Sequence, residues 1–168
     1  MGGFVGAQVA LGMGVALLIF FAGLAYWGER FKSMRRTTII LYGVAGGAVS
    51  VAAAAVVNHS IGAPDFVPPL FGLVAGAGLF VLAGATPAAL GLLADISEAY
   101  PADRGAIMGL YSVFLALGQI SGSLIGGFAA AAFGIDGILA ATFALLLVAI
   151  LPISRLRPFE HVVGTAAE

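Results

Sequence analysis

Ion pairing is the chemistry on offer where an acid stands among bases in GERFKSMRRTTIILYG, residues 28 to 43. Glu29, Arg30, Lys32, Arg35 and Arg36 crowd this stretch, which therefore holds four of the seven Lys and Arg in the chain. A second junction, around Asp95 and Arg104, offers the same chemistry. Asp95 and Glu29 are expected to pair with the basic residues on their own side. No ionisable residue falls near the middle of an apolar run, where it would mark a proton or ion path.

Catalysis finds no footing. His59 and His161 fall in expected loops on opposite faces, and there is no HExxH, phosphate-binding glycine loop or Ser/His pairing on facing helices. With no cysteine, neither a disulfide nor a thiolate metal site can form. The expectation is a protein that is not an enzyme and carries no cofactor, no metal and no nucleic-acid partner.

The elements that hold these charges must face lipid. Of 168 residues, 61% are hydrophobic and 9% charged, with a mean hydropathy of +1.12. A soluble domain carries about 25% charged residues to cover its surface. The fold class is therefore all-α integral membrane, since no two-residue alternation supports a barrel and backbone polar groups in lipid must be paired within their own helix. Five transmembrane helices are expected, over about 4–27, 37–57, 68–94, 105–133 and 135–154, in a single bundle covering 1–168. Each is long enough to cross a core that needs roughly 20 residues. Pro68 and Pro69 suit the first turn of the third.

With alternating helices, every Lys and Arg falls on one side. Arg30 to Arg36 join helices one and two, Arg104 joins three and four, and Arg155 and Arg157 follow five. The opposite side receives NHSIGAPD (58–65) and GIDG (134–137), with no Lys or Arg. The positive-inside rule makes the basic side, and with it the C-terminus, cytoplasmic. Tyr26, Trp27, Tyr42, Tyr100 and Tyr111 fall near that interface, where amphipathic rings gather. The expected location is a bacterial inner (plasma) membrane. Met1 would then lie outside, which points to at least one preceding helix.

Three polar or small-residue features mark the helix interiors. In GQISGSLIGG (118–127), Gly118, Gly122 and Gly126 recur every fourth residue and form a stripe expected to pack against another helix. With 25 glycines in the chain, the pairs Gly43/Gly47 and Gly72/Gly76 are expected from composition alone. Pro87 removes the hydrogen bond to the Ala83 carbonyl and should kink the third helix. Thr86 beside it and Gln119 in the fourth helix are candidates to line a polar path. For Gln119, hydrogen bonding between helices fits equally.

Three passages together resemble the C-terminal half of major facilitator superfamily transporters, from the eighth helix to the twelfth. GERFKSMRR is similar to that family's cytoplasmic loop G-x-L-x-D-R-x-G-R-R, with Glu29 and Arg30 at the Asp-Arg positions and Arg35 and Arg36 as the terminal basic pair. It departs in carrying Glu for Asp, Lys32 for Gly and two extra residues. LGLLADISEAYPADRGAIMGLYSVFLALGQ (90–119) is similar to the connection between the tenth and eleventh helices, with Asp95 and the Arg104-Gly105 pair. Gly118 to Gly127 follows the spacing GxxxGPxxGG of the family's antiporters, but Ser123 replaces the Pro and the helix is a different one.

The resemblance implies a partial major-facilitator-type six-helix bundle, and a fragment of a twelve-helix secondary active transporter that moves a small-molecule substrate by alternating access. Its partners would be the lipid bilayer and an N-terminal transporter half. It also implies a cytoplasmic gate or latch built from Glu29, Arg30, Arg35, Arg36, Asp95 and Arg104. The same charges could instead orient the helices and bind anionic headgroups, worth about 1 kcal/mol per basic residue. The alternative whole-chain reading is a complete five-helix membrane subunit or scaffold that binds a partner through the glycine stripe of helix four.

Overall fold

The computed structural model describes residues 6–30 and 34–156; Lys32, Arg157 and His161 lie outside them. Helix α1 spans Gly6–Arg30 and α2 spans Arg36–Asn58. Helices α3 (Val67–Ala83) and α4 (Ala85–Ala99) follow, then a single 3₁₀ turn at Pro101–Asp103 and α5 (Arg104–Leu156). No strand occurs among the described residues. The prolines at the start of α3 sit in its first turn, where a missing N–H costs nothing.

Among the described residues, four helical stretches are long and apolar enough to cross a membrane: Gly6–Arg30, Arg36–Asn58, Val67–Ala99 and Pro101–Leu156. The sequence led to five, and the difference arises at Gly134. The 53 residues of α5 are two helical segments that meet at Gly134, whose backbone (φ 63, ψ −139) is non-helical and is a conformation L side chains avoid. The chain doubles back at this point. Residues eight apart in a straight helix stand about 12 Å away from each other, yet a Cβ on Gly137 would collide with the Ala129 carbonyl.

The third expected helix also differs. It is divided at Gly84 into α3 and α4, and it continues to Ala99 rather than ending at Ala94. Pro87, three residues past the division, has no N–H to give Ala83. The Gly84 amide turns to the Val81 carbonyl, so the Phe80 carbonyl is left for another donor. The Trp27 indole of α1 supplies it, at 3.0 Å, with its ring lying against Gly84. Trp27→Phe should lower stability by about 1 kcal/mol through this one lost bond. Circular dichroism in detergent is the readout, because Trp27 is the only tryptophan.

Contacts give the helix directions. Ser50 donates to the Ala75 carbonyl at 2.8 Å, Gly43 faces Ala85, and Arg36 reaches Asp95, so α2 runs antiparallel to α3 and α4. Ile19 meets Gly76, and Gly23 meets Phe80 and Ala83, so α1 and α3 run parallel. His59 meets Asp136 and Gly47 meets Leu146, so residues 135–156 run antiparallel to α2. All five described arginines (Arg30, Arg35, Arg36, Arg104 and Arg155) therefore gather at one end of the bundle, as the sequence led one to expect.

The core is small and lies where α2 meets α3 and α4. Ile39, Ala83 and Ala88 are fully buried, with Thr37 and Ser97 beside them at the arginine end. Small residues make this possible, because in lipid helices associate through close van der Waals packing and not through apolar burial from water. A Cβ on Gly78 would stand 2.5 Å from the Gly46 carbonyl and 2.7 Å from the Ser50 nitrogen. Gly43 and Gly47, which composition alone would explain, line the same seam on α2.

Candidate functional site

Arg36 opens α2 and Asp95 lies on α4, brought together because the two helices run antiparallel from a shared end. The pair is bidentate: Arg36 Nε donates to Asp95 Oδ2, and Nη2 donates to Oδ1 at 2.9 Å. Gly91, one turn before Asp95, lets the guanidinium lie flat on α4, since a Cβ there would stand 2.5 Å from Arg36 Nη1. The side chains are 21% and 41% exposed. The pair is thus sheltered enough to form and wet enough to be replaced by water without leaving a bare charge in lipid.

The other charges expected at the gate do not join this pair. Glu29, Arg30, Arg35 and Arg104 are exposed, and Arg30 lies 5.7 Å over the ring of Tyr26, a cation–π distance. Of two adjacent arginines the structure selects Arg36, which starts a helix, over Arg35, which precedes it in extended backbone.

The remaining candidates stand apart. Thr86 and Gln119 are exposed, and they sit on different helices. Gly118, Gly122 and Gly126 have no neighbour of their own chain within 4 Å of an added Cβ. Residues 104–133 as a whole expose nearly every side chain. The seam that small residues build within the chain is on α2, α3 and α4. The stripe on α5 faces outward.

At the opposite end lies a cluster that sequence reasoning passed over. Asn58 Nδ2 donates to Asp136 Oδ1 at 2.8 Å, and His59 Nε2 lies 2.9 Å from the same oxygen. These contacts tie the last turn of α2 to the turn after Gly134. A signal was present, since NHSIGAPD and GIDG were expected on one side of the membrane, each with a single acid and no Lys or Arg, and the first carries a histidine. What sequence did not show is that these two loops meet. No group of three or more metal-capable side chains forms among the described residues.

Long apolar helices, with charges only near their ends or at the Gly134 turn among the described residues, define a helical integral membrane protein. Comparison of the chain with protein-family models, characterised proteins and solved structures finds no match.

Proposed function

We propose that the chain forms one bundle of a secondary active transporter of the major facilitator type. Residues 104–133 and 135–156 cross the membrane separately, giving five crossings. The arginine end, with the C-terminus, is cytoplasmic, following the bias of Lys and Arg at membrane helices. The membrane is a bacterial inner membrane, and the cargo is a small solute passing between this bundle and a second one.

The observation that carries this reading is the Arg36–Asp95 pair. A half-exposed bidentate ion pair at the inner end of two antiparallel helices can close and reopen at modest cost, as a reversible gate requires. The division at Gly84, with Pro87 just beyond it, supplies a bend between the gate on α4 and the membrane interior on α3. Thr86, beside that bend, lines the path.

The cysteine-free sequence allows a direct test. In membranes of cells that make the protein natively, Thr86→Cys should react with a membrane-impermeant maleimide. A residue facing lipid would stay unlabelled from both faces, and that result would refute the path. The chain reconstituted alone in liposomes should pass no solute, because one bundle encloses no path; flux would overturn the two-bundle reading.

A second reading has its own observation. The outward-facing stripe Gly118, Gly122 and Gly126 suits a membrane subunit that docks another helix. A monodisperse oligomer of the chain that dissociates on Gly122→Leu would favour this reading over transport.

A further inference from the structure

Two shallow apolar grooves adjoin each other on α2 and share Ala55 and His59. The first, about 510 Å³, runs between α2 and the second segment of α5, walled by Val51, Ala55, Leu139 and Phe143, with Asp136 at its mouth. The second, about 390 Å³, lies between the end of α2 and the start of α3, walled by Ala55, Val56, Ala63 and Val67. Two apolar grooves that meet beside one polar cluster offer each hydrocarbon chain of a two-chain molecule its own wall.

The polar point also carries a sign. Asn58 and His59 both bond Asp136 through Oδ1, and Oδ2 has no hydrogen-bond partner among the described residues. The connecting segments at this end (58–66 and 134–137) include Asp65 and Asp136 but no Lys or Arg. A headgroup with net negative charge would meet two carboxylates and no Lys or Arg in these segments, whereas a primary ammonium would give Asp136 Oδ2 a charge-assisted donor beside the Asn58 and His59 contacts. The depth fits too. Asn58 ends a helix of 23 residues, about 35 Å long, so His59 lies at headgroup level when the other end is at the opposite interface.

We propose that the His59–Asp136 end binds a zwitterionic diacyl phospholipid of the phosphatidylethanolamine type, its ammonium on Asp136 and one acyl chain in each groove. The site rests on the membrane-spanning reading of the helices and is independent of transport. The gating pair lies at the other end of α2.

The test uses the full chain, purified in a mild maltoside detergent and titrated with dioleoyl phosphatidylethanolamine, dioleoyl phosphatidylglycerol or the one-chain lysophosphatidylethanolamine. Retained lipid is counted by native mass spectrometry. The diacyl ethanolamine lipid should bind about tenfold more tightly than the glycerol lipid, the worth of one charge-assisted hydrogen bond. It should also bind more tightly than its one-chain form. Asp136→Asn should erase the headgroup preference. Ala55→Leu, which fills the wall shared by the grooves and leaves Asp136 in place, should weaken binding of both diacyl lipids with helix content unchanged. Equal retention of the ethanolamine and glycerol lipids by the unaltered chain would overturn the proposal. So would undiminished binding in Ala55→Leu, or one-chain binding as tight as two-chain binding.

Discussion

Gly78→Ala is expected to destabilise the protein by about 2 kcal/mol, within the range for overpacking a tight seam. The added methyl would stand 2.5 Å from the Gly46 carbonyl oxygen and 2.7 Å from the Ser50 nitrogen. Both are backbone atoms, so no rotamer change can relieve the clash and α2 must move off α3. That movement also stretches the Ser50 to Ala75 bond at 2.8 Å. The same substitution at Gly122, where nothing of this chain lies within 4 Å, should be neutral or stabilising by about 0.5 kcal/mol, through helix propensity alone. Reversible unfolding in mixed detergent micelles, followed by circular dichroism, measures both. Equal effects at the two positions would mean that the seam is not where the structure places it.

Removing Asp95 carries the second large effect. Asp95→Ala leaves the Arg36 guanidinium against Gly91 without its bidentate acceptor, at a cost of about 2 kcal/mol, as for hydrogen bonds to charged groups. Much of that cost is the abandoned charge, so Arg36→Met combined with Asp95→Ala should recover about half. Arg35→Ala, at an exposed position, should change stability by no more than about 0.5 kcal/mol. A double-mutant cycle over Arg36 and Asp95, read by the same unfolding assay, gives their coupling directly. A coupling near zero would reduce the pair to two independent surface charges and remove the basis of the gate. In the transport reading, Arg36→Ala should slow solute flux more than it lowers protein abundance, while Arg35→Ala should do neither.

Asp95 and Arg36 were legible as partners in kind but not in identity. Sequence offered six charges for the gate, among others at the same end. Which base meets which acid depends on the azimuth of α2 against α4, and that azimuth is set by the glycine seam two turns deeper. The seam within the chain could not be located from spacing, for a plain reason. Gly118, Gly122 and Gly126 recur with perfect spacing, yet spacing describes one helix and cannot show what stands opposite. Gly43 and Gly47 looked like products of composition, but Ala85 of α4 comes within contact of the first and Leu82 of α3 within contact of the second. Pro87 carried a readable signal, a missing N–H. The position of the division, at Gly84, also depends on Trp27 of a different helix taking up the Phe80 carbonyl.

Sequence alone determined the solvent of this protein, its all-helical backbone and the gathering of its arginines at one end. Each follows from sums over local sequence: too little charge to cover a surface in water, apolar runs long enough to cross lipid, and junctions that alternate in sign. Tertiary structure alone decided the pairing of Arg36 with Asp95, the meeting of His59 with Asp136, and which glycines are covered. These depend on distances between segments tens of residues apart, set by how closely two backbones can approach. No periodicity within one helix encodes that distance.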